Sequence, residues 1–407
     1  MHNSVLNLLF AWRYFRSKKS TNAINIIAWI AVTAIAVGTA SLIIILSVFN
    51  GFEDLVKGLY GDFYASVKII PAKEKTFHIS SDQFKQIKGV KNIAAISFIA
   101  EEKALLMGNY QTIVTVKGVE ANYNTINNIS KYVKHGNFGI GDRENPGIVM
   151  GAGIENAAGV DIYRGITPTI LYMPNQNAAS LNSTDGLNSY VVKPTGTFVI
   201  QQDFDNKYAF TNLAFLKYML NMSDDEYSAI EIKTNGQDAI VKNDLQQLLG
   251  TGYKVQTRYE QNQSLYAVMQ MEKWVIYAIL SLILVVAAFN MIGALTMLVL
   301  EKQKDIAVLK AIGADNTRIQ QIFLFEGLLL AGIGTGLGLL LATSICWLQI
   351  KFHLIKLGGS TFIIDYYPVK TAITDYLLVF VTVSCIAFSA AWITARKSSR
   401  ASYSLRT

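Results

Sequence analysis

INIIAWIAVTAIAVGTASLIIILSVF, residues 24–49, carries no charged side chain. The charge-free interval around it runs between Lys19 and Glu53, longer than the about 20 mostly apolar residues a helix needs to cross a bilayer. Lipid offers no hydrogen-bond partners to a backbone, so such a run is satisfied as a helix. Three more intervals of this kind lie between Lys273 and Glu301, between Glu326 and Lys351, and between Asp375 and Arg396. Arg13, Arg16, Lys18 and Lys19 precede the first run in the manner of a secretory signal. Its apolar part is far longer than the about 7–15 residues of a signal core, which predicts a retained anchor. Gly38, Gly293, Gly332, Gly334, Gly336 and Gly338 fall inside the runs. The alternation GIGTGLG (332–338) predicts a tight helix–helix seam, because small residues let backbones approach in lipid.

The whole composition agrees. Hydrophobic residues make up 51% and charged residues 16% of 407, against about 25% charge in a soluble domain, and the mean hydropathy is +0.30. The net charge of +7 is unevenly spread. Residues 1–23, 301–320 and 396–407 hold twelve basic and three acidic residues, whereas 51–273 holds 21 basic and 23 acidic. Lys and Arg collect on the cytoplasmic side of membrane helices, so both termini and the 301–320 linker are expected in the cytoplasm. The excess charge is therefore an orientation signal and implies no nucleic-acid partner.

The fold class follows: an α-helical membrane protein with four transmembrane helices and a large α+β extracytoplasmic domain inserted between helices 1 and 2. The expected segments are a cytoplasmic start (1–23), helix 1 (24–50), the outer domain (51–271), helix 2 (272–300), a cytoplasmic linker (301–320), helix 3 (321–346), an outer loop (347–372), helix 4 (373–395) and a cytoplasmic tail (396–407). Within the outer domain, alternating or β-branched runs at 65–70, 93–100, 112–119 and 190–192 predict strands. Helices are expected at 81–88, 212–220 and 237–249.

No catalytic constellation is visible. GAGIENAAG (151–159) lacks the lysine of a phosphate loop and the spacing of a dinucleotide fingerprint. Asp203 and Asp205 could pair, although a solvated turn is the simpler expectation. Cys346 and Cys385 lie in apolar runs, and His2, His78, His135 and His353 are scattered, so no metal site is expected. An intramembrane enzyme would need ionisable residues in its spans, and the four intervals have none.

Two segments carry the functional expectations. In EKQKDIAVLKAIGADNTRIQ (301–320), a short amphipathic helix should anchor through Ile306 and Leu309. Glu301, Lys302, Lys304, Asp305 and Lys310 would form a mixed-charge docking face. Gly313 should end that helix, and Asp315 or Asn316 should cap the next. In SVFNGFEDLVKG (47–58), Asn50 and Gly51 are expected to break the first helix at the membrane edge. Phe49, Asn50 and Phe52 would mark a lateral entrance for a lipid-bearing substrate.

Three stretches resemble a known family: AWRYFRSKKSTNAINIIAWIAVTAIAVGTASLIIILSVFNGFED (11–54), SLYAVMQMEKWVIYAILSLILVVAAFNMIGALTMLVLEKQKDIAVLKAIGA (264–314) and IFLFEGLLLAGIGTGLGLLLA (322–342). NPGIVMGAGIENAAGV (145–160) and the residues around 197–233 add to it. The chain resembles LolC/LolE-type permeases of the FtsX-like family, whose wider circle includes MacB-type permeases. Two differences stand out: the tail ARKSSRASYSLRT replaces a DPAEALR-like ending, and Arg258–Tyr259 stands where a tryptophan is usual. The resemblance implies an inner-membrane ABC complex for lipoprotein release. In it a cytoplasmic ATPase dimer binds ATP and Mg, and the permease pairs with a second permease subunit, alike or different. The linker would be the coupling helix, and the outer domain would handle lipoprotein or pass it to a periplasmic chaperone. The chain itself would hold no cofactor and no catalytic residue. A MacB-type role in efflux or envelope stress is the alternative within the same family.

Overall fold

A computed structural model describes residues 22–163, 167–174, 187–357 and 364–400. Four helices in it are long and apolar enough to cross a membrane: Asn22–Phe63, Gln263–Glu301, Asn316–Phe352 and Ile373–Arg400. The chain is thus a multi-pass membrane protein. It divides into two compact units, with residues 55–266 and 357–365 in one and the remainder in the other.

The membrane unit is held by side-chain interdigitation around Val32, Leu42, Ile43, Leu46, Leu284, Met291, Leu330, Val379 and Val383. Glycine sets how closely the helices approach. A Cβ on Gly334 would lie 2.9 Å from the Val32 carbonyl oxygen, and one on Gly338 would lie 2.5 Å from that of Ala36. These two glycines, four residues apart, share one face of the third helix and let it touch the backbone of the first. Gly332 and Gly336 have nothing within 4 Å of an added Cβ. The expected seam is therefore real but one-sided: period 3.6 turns alternate glycines of GIGTGLG away from each other. Gly38 meets Leu284 of the second helix, and Gly327 meets Ala391 of the fourth.

The first helix does not break at Asn50–Gly51. It continues unbroken to Phe63, because its last turns have a core to enter. Leu59, Tyr60 and Phe63 are buried, and the Phe63 ring stacks on Phe204 at 4.1 Å.

The inserted domain carries twelve strands among its described residues: β1 (Val67–Pro71), β2 (Phe77–His78), β3 (Ile93–Met107), β4 (Gln111–Val119), β5 (Val133–Gly136), β6 (Gly147–Gly151), β7 (Thr169–Pro174), β8 (Leu187–Phe198), β9 (Tyr208–Asn212), β10 (Glu226–Tyr227), β11 (Ala229–Thr234) and β12 (Tyr253–Thr257). Ten form one mixed sheet in the order β12-β1-β11-β3-β4-β9-β6-β8-β5, with β7 pairing β3 and β8; β2 and β10 form a separate pair. Helices Ser81–Lys88, Leu213–Met219 and Asp238–Leu249 fall where the sequence places them. Ser80 and Gln83 close a capping box on the first of these.

A row of charges crosses the sheet interior. Lys68 faces Glu231 across β1–β11, and Glu101 faces Lys117 across β3–β4. The Lys117 ammonium donates to Glu231 and to the Tyr123 hydroxyl, both at 2.6 Å, and Tyr123 donates to Glu231 at 2.7 Å. Lys68 reaches Glu101 at 3.3 Å. Burial pushes Lys117 below the ordinary lysine range and, together with Glu231, pushes Tyr123 far up. Removing one partner of such a buried set costs about 3–5 kcal/mol, since the other charge stays desolvated.

Asp203 and Asp205 do not pair, and Asp205 is not in a solvated turn. Asp203 is exposed, while Asp205 is buried and accepts from the Ile200 amide at 2.9 Å. Burial raises its carboxyl to about 6, against the amides of Ile200 and Gln201, which lower it.

Two outcomes are expected. Gly338→Ala should lower the thermal midpoint of the purified chain, an overpacking cost of about 1–3 kcal/mol, whereas Gly336→Ala should leave it unchanged; equal effects would contradict the one-sided seam. Asp205 titrates higher folded than unfolded, so its contribution is present at low pH and is lost as pH rises through about 6. A melting series across this range should show wild type losing stability relative to Asp205→Asn, and parallel curves would contradict it.

Candidate functional site

The linker forms a helix over Gln303–Ala311, directly after the second membrane helix ends at Glu301. Ile306 is its anchor. It is buried in a cluster with Leu298, Val299, Ile319, Phe323 and Ala395, so three membrane helices converge on one side chain. Leu309 is half-buried. Lys302 precedes the helix and pairs with Asp305 at 3.5 Å. Gly313 has φ of +96°. The amide of Gly313 bonds Lys310 O at 3.0 Å, and that of Ala314 bonds Leu309 O at 2.9 Å. This is a left-handed glycine termination, in which the last carbonyls find donors without a Cβ penalty. Asp315 then caps the next helix, accepting from the Arg318 amide at 3.1 Å.

The exposed side of the linker helix is not only charged. Lys304 and Asp305 face out, but so do Val308, 54% exposed, and Ile312, 79% exposed. Four residues apart, the two apolar side chains form a ridge. Sequence reading placed the docking face on the charges and missed this ridge; the signal was available, because Ile306 and Ile312 are too far apart in helical phase to be buried together. Glu326 was also passed over as the edge of an interval. It lies ten residues inside the third helix and is fully buried.

The outer-edge residues are placed as follows. Phe49, Asn50 and Phe52 are half-buried, and Gly51 is buried. A Cβ on Gly51 would sit 2.3 Å from the Pro368 carbonyl oxygen, so this glycine serves close packing rather than a bend. The Phe52 ring meets Tyr367 edge-on at 5.9 Å. Asn50 bonds Lys273 of the second helix and Asp375 of the fourth. The linker residues and the residues around Asn50 are separate groups, at opposite ends of the second membrane helix.

The glycines of GAGIENAAG are also explained by packing. Gly151 ends β6 against the Asp205 backbone, Gly153 abuts Asn206, and Gly159 terminates the helix Ala152–Ala158 at φ +61°. Among the described residues no His, Cys, Asp or Glu cluster has metal-ligand geometry.

Comparison with known proteins agrees along the whole length. Residues 28–248 match the MacB-like periplasmic core domain, and residues 277–403 match the FtsX-like permease C-terminal domain. The chain is 28% identical to the lipoprotein-releasing system transmembrane protein LolE of Haemophilus influenzae, over 96% of each chain. It is 25% identical to LolC of Neisseria meningitidis serogroup B, over 96% of this chain and 97% of that one. Among solved structures, the periplasmic region of MacB from Actinobacillus actinomycetemcomitans aligns with 52% of this chain and 98% of that one, at 8% identity and a TM-score of 0.35. The chain belongs to the FtsX/MacB family of permeases and is related to LolC and LolE.

Proposed function

We propose that the chain is the transmembrane permease subunit of an ABC complex that extracts lipoproteins from the inner membrane for transfer toward the outer membrane. The observation that carries this reading is the end-to-end likeness to proteins named for lipoprotein release, over 96% of both chains in the case of LolE. That likeness favours it over a MacB-type efflux role. ATP and Mg are bound by a separate ATPase dimer, and the permease acts with a second permease subunit, alike or different. A periplasmic chaperone receives the lipoprotein. Both termini and the 301–320 linker lie in the cytoplasm, in keeping with their excess of Lys and Arg.

The linker helix is the coupling element. Glu301, Lys302, Lys304, Asp305 and Lys310 orient the ATPase electrostatically, and the Val308–Ile312 ridge supplies the apolar contact. Charge gives specificity and approach, while desolvated apolar anchors give most of the affinity. Gly313 sets the turn that points the helix. Ile306, buried at the roots of the membrane helices, carries a push on the linker into the bundle. At the other end, Phe49, Asn50 and Phe52 mark the substrate entrance. An acyl chain leaving the bilayer gives up about 0.8 kcal/mol per CH₂, so its exit needs apolar side chains at the membrane edge.

The test is purification of the chain with its native ATPase, followed by identification of co-purifying lipid-modified proteins and their loss on adding ATP. Acylated proteins that stay bound with ATP present, or their absence, would contradict the reading. Reversal of Asp305 and Lys310 together, or Ile312→Asp alone, should reduce ATPase co-purification by about tenfold or more, equivalent to ~1.4 kcal/mol. Insertion should persist, since exposed charges add little stability. Gly313→Val should add about 1–3 kcal/mol of backbone strain and lower substrate-stimulated ATP turnover. Full docking and turnover in all three variants would rule out this helix as the coupling element.

A further inference from the structure

Three membrane helices meet at one amide. Asn50 Oδ1 accepts from Lys273 Nζ at 2.8 Å, and Asn50 Nδ2 donates to Asp375 Oδ2 at 2.5 Å. Lys273 and Asp375 are themselves 3.5 Å apart. Asp375 is 6% exposed. The amide is thus interposed in an ion pair between the second and fourth helices, with its oxygen toward the cation and its nitrogen toward the anion. That orientation recruits the first helix to the pair. A second layer backs it. The Lys370 amide donates to the Ser47 carbonyl at 2.9 Å, the Lys370 ammonium pairs with Asp54, and Gly51 admits the Pro368 backbone.

The location gives these contacts a consequence. Asn50 lies just before the chain leaves the membrane unit after Asp54, and Lys273 lies just after it returns at Ala267. The first and second helices are the two stems of the inserted domain. Only the second is joined directly to the linker helix at its far end. A displacement of the linker therefore reaches the second stem through the chain and reaches the first stem through contacts alone. Charge-assisted hydrogen bonds in a low-dielectric setting are strong and directional, and they fix a register that apolar packing leaves free to slide.

We infer that Asn50 is a positioning residue, the pin of an outer joint that holds the ends of the first, second and fourth helices as one body, so that motion of the second stem is imposed on the first. This inference rests on the proposed coupling of the linker to a cytoplasmic ATPase. It assigns Asn50 a mechanical role at the entrance and leaves acyl contact to Phe49 and Phe52.

The test uses the full chain co-purified with its ATPase in lipid nanodiscs. Spin labels at the half-buried Val48→Cys on the first stem and at the exposed Trp274→Cys on the second, both inside the membrane unit, report the separation of the two stems. In the otherwise unaltered chain the joint keeps this separation narrow and unchanged between the nucleotide-free and ATP-trapped complexes. Asn50→Leu should broaden it, and should lower ATP-driven lipoprotein release by about tenfold or more, equivalent to ~1.4 kcal/mol. Lys273→Asp and Asp375→Lys should each act like Asn50→Leu. The double exchange should restore narrow separation and release, because an Asn amide can flip end for end to face a reversed pair. The joint is refuted if the separation changes on ATP trapping in the unaltered chain, if Asn50→Leu leaves separation and release intact, or if the double exchange fails to restore the narrow separation. If single exchanges do not accumulate, Asn50→Leu and the double exchange decide between these outcomes. Absence of lipoprotein release by the unaltered complex would count against the proposed function, whereas the label separation still reads the joint.

Discussion

The membrane unit depends on how closely the first and third helices approach at Gly334 and Gly338. Lipid tails are as apolar as leucine, so nothing like the aqueous hydrophobic effect drives helices together inside a bilayer. Close packing and interhelical hydrogen bonds must supply the association. The two glycines let backbone lie on backbone, which brings Leu330 and Ala342 into the same cluster as Ile35 and Ile43. The third helix is in turn joined to the second through the linker helix, so its position also sets where the linker lies. Ile306, packed between Leu298, Ile319, Phe323 and Ala395, is the cytoplasmic counterpart of that arrangement. Near the outer ends, the Tyr277 hydroxyl bonds Thr382 between the second and fourth helices, about one turn past Lys273 along the second helix and two turns past Asp375 along the fourth. Small residues fix the middle of the bundle, and polar groups fix its edge.

The inserted domain is built on the opposite logic. Its stability comes from water-driven burial in three clusters, and its specificity comes from the charges enclosed by the sheet. A sheet carrying Lys68, Glu101, Lys117 and Glu231 can slip register only by separating these charges in a medium that does not solvate them. Burial and Glu231 raise the Tyr123 hydroxyl far above the ordinary tyrosine range, so it remains a donor at any physiological pH. The aromatic packing of Phe63 on Phe204 and Tyr208 ties the end of the first helix into the same body.

Much of this was legible in the sequence, for reasons that can be stated. The four spans were visible because a bilayer demands unbroken apolar length, and no other structure satisfies that pattern. The linker helix, its glycine termination and the Asp315 cap were visible because they follow from local chemistry within a few residues. What stayed hidden was long-range. Asn50 and Gly51 read as a break because local propensity favours one, yet Pro368 and Asp375, some three hundred residues away, make them contact points in a continuous helix. Gly332 and Gly334 look alike in sequence, and only helical phase and the neighbouring helix separate them. Lys117 lies in a strand flanked by β3 and β9, and its partner Glu231 lies on β11, more than a hundred residues downstream, so its burial could not be seen from TVKGV alone. Val308 and Ile312 are a local exception: helical phase alone separates Ile312 from the buried Ile306.

The central claim is that ATP hydrolysed by a cytoplasmic partner is spent at the outer face on removing an acylated protein from the bilayer. The most direct measurement places the chain and its co-purified ATPase in lipid nanodiscs, where both faces are open. It compares one lipoprotein with the same polypeptide lacking its acyl chains. The account predicts that the acylated form alone stimulates ATP hydrolysis, and that it passes to a soluble lipid-binding acceptor only while ATP is turned over. Hydrolysis without transfer, or equal handling of the two forms, would contradict it.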